Sequence, residues 1–138
     1  MIIKQLTVFA ENKVGYLSEI TELLAKNRID MKALSIADTK DFGILRLIVD
    51  KPDVALSALH EYGLLGTITE VVGVEISNKT GELSKALAVL AENGVNVEYL
   101  YAFLAGKVDS AYVVIKATDN AHAEKILKNA GFKEITGF

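Results

Sequence analysis

The chain has no cysteine, no tryptophan, one proline and two histidines in 138 residues. Without cysteine there is no disulfide framework and no thiolate chemistry. The two histidines, His60 and His122, have no Cys, Asp or Glu cluster at metal-ligand spacing beside them, so no metal site is expected. A positive surplus is missing too: 15 basic residues face 18 acidic ones, for a formal net charge of -3, and no basic run exists. That argues against nucleic acid or an anionic membrane as partner. Tyr99, Tyr101 and Tyr112 resemble base-stacking positions, but only Lys107 and Lys116 lie near them, too few cations for an RNA-binding sheet. No apolar run approaches the ~18–20 residues of a membrane span. The opening MIIKQLTVFAEN is broken by Lys4 and Gln5 and has no cleavage-site pattern, so it does not read as a signal peptide. A cytoplasmic protein is the expectation. A glycine-rich phosphate loop, a nucleophile elbow and paired-carboxylate spacing are all missing. No catalytic residue and no cofactor are therefore expected, and the chain does not read as an enzyme.

What the chain does contain is a duplication. Residues 11–30 read ENKVGYLSEITELLAKNRID and residues 77–96 read SNKTGELSKALAVLAENGVN. Gly15 aligns with Gly81, Leu17 with Leu83, Ser18 with Ser84, Leu24 with Leu90 and Asn27 with Asn93. Two units follow, at residues 1–70 and 71–138. With 51% hydrophobic residues each can build a core, but a unit of this size is marginal alone. Packing between units or dimerisation is expected to add stability.

Each copy reads strand, helix, strand, strand, helix, strand. In the first, Ile2, Leu6, Val8 and Ala10 mark a half-buried strand. Leu17, Ile20, Leu23 and Leu24 follow helical spacing. Residues 31–37 and 44–49 read as strands around a turn, and Pro52 suits a helix start because its missing N–H costs nothing there. Val54, Ala55, Ala58, Leu59 and Tyr62 form that helix's apolar stripe, and Gly63 its left-handed stop. In the second copy Val72, Val74 and Ile76 begin, Leu83, Leu87 and Leu90 mark the helix, and Val97, Tyr99, Tyr101 and Phe103 share one face of the next strand. Asp119 or Asn120 caps the last helix, and Gly131 matches Gly63. Only 14 residues separate Gly63 from Asn78. One strand should therefore run almost directly into the next, bending near Gly73. The simplest fold for a βαββαβ unit is an antiparallel four-stranded sheet with both helices on one face and right-handed crossovers. The class is α+β, with two ferredoxin-like units in tandem.

Two repeated segments are candidate sites. The loop at Asn12, Val14 and Gly15, leading to Leu17, and its twin at Asn78, Thr80 and Gly81, leading to Leu83, each join a strand to a helix N-terminus. Free N–H groups and the positive end of the helix dipole suit a carboxylate there, and Gly admits close backbone approach. A plain turn with an Asn cap explains the same residues. The strand starts at Asp30-Met31 and Asn96-Val97 are the second pair. An ionised Asp30 only accepts and so favours an ammonium, whereas Asn96 both donates and accepts. Turn chemistry is again the bland account.

Glu11-Asn12-Lys13-Val14-Gly15-Tyr16-Leu17 and Asn78-Lys79-Thr80-Gly81-Glu82-Leu83, with Ile29-Asp30-Met31 and Val95-Asn96-Val97, resemble the signature of ACT domains. The resemblance spans nearly the whole chain as a tandem pair. It implies a regulatory function: ACT domains bind small effectors, often amino acids, at interfaces between two units through these two regions. In serine-sensing members one Asn in the loop and one at the strand start hold the ligand, roles that fall on Asn78 with Asn96, and on Asn12 with Asp30. The family's frequent Pro before the loop Gly is Val14 and Thr80 here. The first copy also has Arg28 and Asp30 where the pattern has Gly and Asn, so the second copy matches the serine-sensing pattern more closely.

The implied partners are a small amino acid and an unidentified regulated protein. The apolar character of both faces of residues 97–104 points to a homodimer. The rival expectation is a structural interaction module that has lost its ligand.

Overall fold

In a computed structural model the described residues are 1–38, 41–104 and 106–136, with the side chains of Asp38 and Phe42 outside the description. The expected turns at residues 38–43 and 104–109 thus lie partly outside the described residues. The chain divides into two compact units, Lys4–Thr69 and Met1–Ile3 with Glu70–Phe138; we call them the first and second unit.

The first unit holds most of β1 (Ile2–Glu11), then α1 (Tyr16–Lys26), β2 (Met31–Asp38), β3 (Phe42–Val49), α2 (Pro52–Glu61) and the start of β4 (Leu65–Ser77). Its strand order is β2-β3-β1-β4. The ladders are antiparallel, with Leu6 opposite Leu47 and Val8 opposite Leu45 across β1 and β3, and Leu34 opposite Leu47 across β2 and β3. Pairing positions in register point to the same face. Leu6, Val8, Ala10, Leu45 and Leu47 thus line one face and pack with Ile20, Leu24, Ala55 and Leu59 from the two helices. Leu6, Val8 and Ala10 of β1 and Ile20, Leu23 and Leu24 of α1 pack in this core as expected, whereas Ile2 and Leu17 are exposed. In α2, Ala55, Ala58 and Leu59 are buried while Val54 and Tyr62 are exposed. Tyr62 instead donates to Glu19 Oε1 at 2.6 Å, joining α2 to α1. That bond raises the Tyr62 pKa, because loss of its proton would place a phenolate against a carboxylate.

The second unit repeats this plan with the rest of β4, α3 (Glu82–Glu92), β5 (Val97–Leu104), β6 (Ser110–Ala117), α4 (Asn120–Asn129) and β7 (Lys133–Glu134). Its order is β5-β6-β4 with β7 on β4. Val72, Val74, Val113 and Ile115 meet Ala86 and Leu90 of α3 and Ala123 and Leu127 of α4. Both units are antiparallel four-stranded sheets carrying two helices on one face.

Residues 65–77 form one strand rather than two meeting at a bend. Gly73 lies inside it, where a Cβ would sit 2.7 Å from Ile135 Cδ1 and 2.9 Å from Ile3 Cδ1, so both side-chain ends would have to shift to admit one. A second departure comes from β-bulges. The registers shift between Met31 and Ala33 and between Val97 and Tyr99, at equivalent places in the two copies. One extra residue turns the following side chains over. Val97 therefore packs on the helix-side core with Leu100 and does not share a face with Tyr99, Tyr101 and Phe103. These three rings are half-buried, and Phe103 meets Tyr112 edge-on, with centroids 5.3 Å apart at 74°.

Candidate functional site

Both signature loops build the same backbone. Gly15 (φ 84°, ψ -7°) and Gly81 (φ 91°, ψ -9°) are left-handed and open α1 and α3. That region disfavours residues with a Cβ, and no atom within 4 Å would meet a Cβ at either position. Conformation, not crowding, therefore selects glycine. Neither helix start has a side-chain cap, whereas at α4 the Asp119 carboxylate accepts from His122 N at 3.0 Å. The alternative of a plain turn with an Asn cap does not hold, since Gly15 and Gly81 occupy the N-cap positions and no side chain caps either helix. The backbone N–H groups of Asn12 and Asn78 reach Asp41 O at 3.5 Å and Asp109 O at 2.8 Å, tying each loop to the turn between the unit's middle strands. The first N–H of each helix turns back into its own loop, Tyr16 donating to Lys13 O at 3.4 Å and Glu82 to Lys79 O at 3.3 Å, and neither helix start has a side-chain acceptor on the positive end of its dipole, a place that suits an anion.

The first loop borders a pocket of about 90 Å³ lined by Ala10, Glu11, Asn12, Lys13, Leu17, Ile36 and Gly43. Its wall is part apolar (Leu17, Ile36) and part polar (Asn12 and the backbone beside it). Drug-sized ligands occupy roughly 300–1,000 Å³, so this pocket suits a much smaller molecule. Val14, the next residue of the loop, is fully exposed. The Lys13 ammonium lies 5.2 Å from the centre of the Tyr16 ring and 3.2 Å from Glu11 Oε2.

The second loop differs. The nearby groove of about 440 Å³ is lined by Glu75, Ile76, Ser77, Glu82, Lys85, Asp109, Ser110 and residues 130–133. Asn78, Thr80, Gly81 and Leu83 are not in its wall. Three of its charged residues are engaged: Ser110 Oγ donates to Glu75 Oε1 at 2.9 Å, Lys107 lies 3.5 Å from Glu75, and Lys85 pairs with Glu82 at 2.5 Å.

Within one unit the two candidate regions stay apart. Met31 pairs with Val49 at one end of the β2–β3 ladder, while Gly43, beside the loop, pairs with Asp38 at the other. Seven residue steps of β2 at about 3.3 Å each separate them. Asp30 is also occupied: its N–H donates to Asp50 Oδ1 at 2.9 Å and its carboxylate accepts from Lys32 at 2.6 Å. That hydrogen bond, with the Asp30 charge, raises the Lys32 pKa. Asn96 donates to Thr118 Oγ1 at 3.1 Å, the equivalent clasp in the second unit. Asn12 and Leu17 therefore meet in one pocket, Val14 and Gly15 lie between them in the chain but not in its wall, and Asp30, Met31, Asn96 and Val97 hold the far ends of the sheets. Ile36 and Gly43 complete the pocket and carry no motif. Only the pairing of β1 with β3, and of β3 with β2, brings them to Leu17.

His60 and His122 are exposed and each approaches a carbonyl, Gly66 O at 3.1 Å and Asn93 O at 3.3 Å. Among the described residues no three His, Cys, Asp or Glu cluster as a metal site, and no helix is long and apolar enough to cross a membrane.

A protein from Bacteroides thetaiotaomicron is 42% identical over 98% of this chain and 92% of its own, with a TM-score of 0.92. The regulatory subunit of aspartate kinase from Thermus thermophilus is 17% identical, covers 95% of this chain and 97% of its own, and superposes with a TM-score of 0.64. Its counterpart from Thermus flavus is also 17% identical, over 94% and 95%, with a TM-score of 0.63. Identity that low makes the last two likenesses of fold alone. No curated protein matches the chain. The family model describing an ACT domain pair matches residues 1–134, and with two βαββαβ units each carrying the glycine-opened loop, the chain belongs to the ACT domain pair family.

Proposed function

We propose that this protein is a regulator that binds a small amino acid where ACT units meet, and that it does no chemistry on it. One observation carries the reading. The same left-handed glycine opens α1 and α3 without a side-chain cap, and beside the first loop lies a pocket sized for a small molecule. The ligand's carboxylate would sit on N–H groups around Val14 and Gly15, with Asn12 beside it and Leu17 and Ile36 against its side chain. The loop at Asn78, Thr80 and Gly81 offers the same backbone donors, with Leu83 behind it. Asp30 and Asn96, with Met31 and Val97 beside them, would hold the ammonium from across an interface between units. The Thermus thermophilus neighbour, a regulatory subunit, uses the same fold. A ligand of this kind regulates only if it binds two assembly states unequally.

Titration calorimetry against each of the twenty amino acids tests this. A saturable heat with at least one small amino acid is expected, weakened by Asn12→Ala if the first loop is the site and by Asn78→Ala or Asn96→Ala if the second is. No heat with any of them would overturn the proposal. It would favour the second reading, an interaction module without a ligand, to which the exposed Leu34 and Ile36 also lend support.

A further inference from the structure

The two copies differ where their helix ends meet. The loop alignment puts Lys85 in the place of Glu19, and the helix stops put Ala130 in the place of Tyr62 and Phe132 in the place of Leu64. In the first unit Tyr62 bonds Glu19 and ties the end of α2 to the first turn of α1. Lysine and alanine cannot make that tie. At the matching place the second unit holds its groove of about 440 Å³, with Lys85 and Ala130 in the wall and Ile76 and Phe132 as its apolar lining. Ile76 is buried, and Phe132 is half-buried against the core. The copy with a tyrosine joins its helix ends, and the copy with an alanine keeps an open space there.

The charges of the groove fall into two sets. Glu75 is held by Ser110 and Lys107, and Glu82 by Lys85. Asp109 and Lys133 also line the groove, and their side chains have no partner among the described residues. They stand on opposite sides of β4. Asp109 leads into β6, whose Ser110 pairs with Ser77, while Lys133 of β7 pairs with Glu75. Neighbouring strands lie about 4.8 Å apart, so the two backbones are about 10 Å or more apart. The backbone under the Asp109 carboxylate is fixed: it is left-handed (φ 66°), and its C=O accepts from Asn78 N–H at 2.8 Å. One unpaired acid and one unpaired base, set apart across an apolar lining, match a ligand that carries both charges at a distance. A free α-amino acid holds both on one carbon and cannot reach the two. An extended tripeptide spans about 10 Å.

We infer that the groove of the second unit binds a free peptide of two or three residues as a dipolar ion. Its N-terminal ammonium meets Asp109, its C-terminal carboxylate meets Lys133, and an aromatic side chain covers Ile76 and Phe132, where Tyr62 stands in the sister copy. A volume of about 440 Å³ falls in the range of roughly 300–1,000 Å³ usual for ligand sites. The peptide bridges α3 and α4 as the Tyr62–Glu19 bond bridges α1 and α2, so it stabilises the second unit by mass action. This site lies within one unit and is independent of the proposed amino-acid site.

The experiment is titration calorimetry of the full chain with the tripeptide glycyl-tyrosyl-glycine, and with the same peptide acetylated at one end and amidated at the other. Saturable heat is expected with the free peptide, and binding weaker by about tenfold or more once both charges are capped. Asp109→Asn and Lys133→Gln are each expected to weaken binding about threefold to tenfold. Both positions are exposed, so these variants keep the fold. Lys85→Glu combined with Ala130→Tyr rebuilds the tie of the first unit and is expected to abolish the heat, with far-UV circular dichroism showing the fold intact. No heat with the free peptide, or full affinity in both Asp109→Asn and Lys133→Gln, would overturn the inference. So would equal affinity for the capped peptide, which would point instead to an internal segment of a partner protein. Unchanged binding by the folded double variant would place the peptide elsewhere and overturn it too. The two proposals fail separately: heat with free amino acids and none with the peptide removes the groove alone, and the reverse removes the amino-acid reading alone.

Discussion

The two units share a backbone and differ in what they present. Gly15 and Gly81 adopt nearly the same left-handed geometry, and the bulges after Met31 and Val97 fall at equivalent positions. Their surfaces have diverged. The first unit shows Val14, Leu17, Leu34 and Ile36 to solvent around a small pocket. The second replaces Val14 by Thr80 and Ile36 by Ala102, and half-buries Leu83 and Leu100. Gly73 corresponds to Thr7, whose hydroxyl bonds Gln5 Nε2 at 3.0 Å and lies 3.1 Å from Thr69 Oγ1. At Gly73 the same place is filled by Ile135 and Ile3. Glycine in the loops and leucine in the core answer to the fold, which both copies need. The exposed positions answer to partners, which the copies need not share.

The sharpest way to break the equivalence of the cores is Leu24→Ala against Leu90→Ala. Both residues are fully buried at matching points of α1 and α3. Each change should cost about 2–5 kcal/mol in denaturant unfolding. Losses differing by more than about twofold would show that one core carries the other. Gly73→Ala comes next, at about 1–3 kcal/mol, because two isoleucine side chains must yield to the new methyl group. Thr7→Ala in the first unit removes hydrogen bonds without crowding and should cost less. Gly15→Ala and Gly81→Ala should each cost about 1–2 kcal/mol through backbone strain alone. Equal losses in thermal or chemical unfolding sharpen the comparison, and a free substitution at either position would break it. The smallest effect is Lys32→Ala, which removes an exposed ion pair with Asp30 and should leave the unfolding midpoint nearly unchanged.

The fold was legible because duplication shows the same pattern twice, and the glycine stops at Gly63 and Gly131, both left-handed, bound the units. The site was legible only where a motif marks it. Asn12 and Leu17 lie in one stretch, but Ile36 and Gly43 reach the pocket through strand pairing, which alternation does not encode. The bulges hid the face of Val97, since a shift of one residue is invisible in a run apolar on both sides. The β2 edge was hidden for a related reason. Leu34 and Ile36 sit on the same face as core residues, and only the order of strands reveals that no helix covers them. Residues 97–104 drew attention for an apolar face whose rings prove half-buried, while the exposed apolar strip lies on β2.

The most direct test is an amide chemical-shift map during titration with the amino acid that calorimetry selects. The account predicts saturating shifts at Val14, Gly15 and Leu17 at the start of α1, with a second set at a strand start, Asp30 and Met31 or Asn96 and Val97, from across the interface between units. Binding that leaves residues 12–17 unmoved and shifts amides elsewhere, around the Glu75 and Lys85 groove for example, would contradict it.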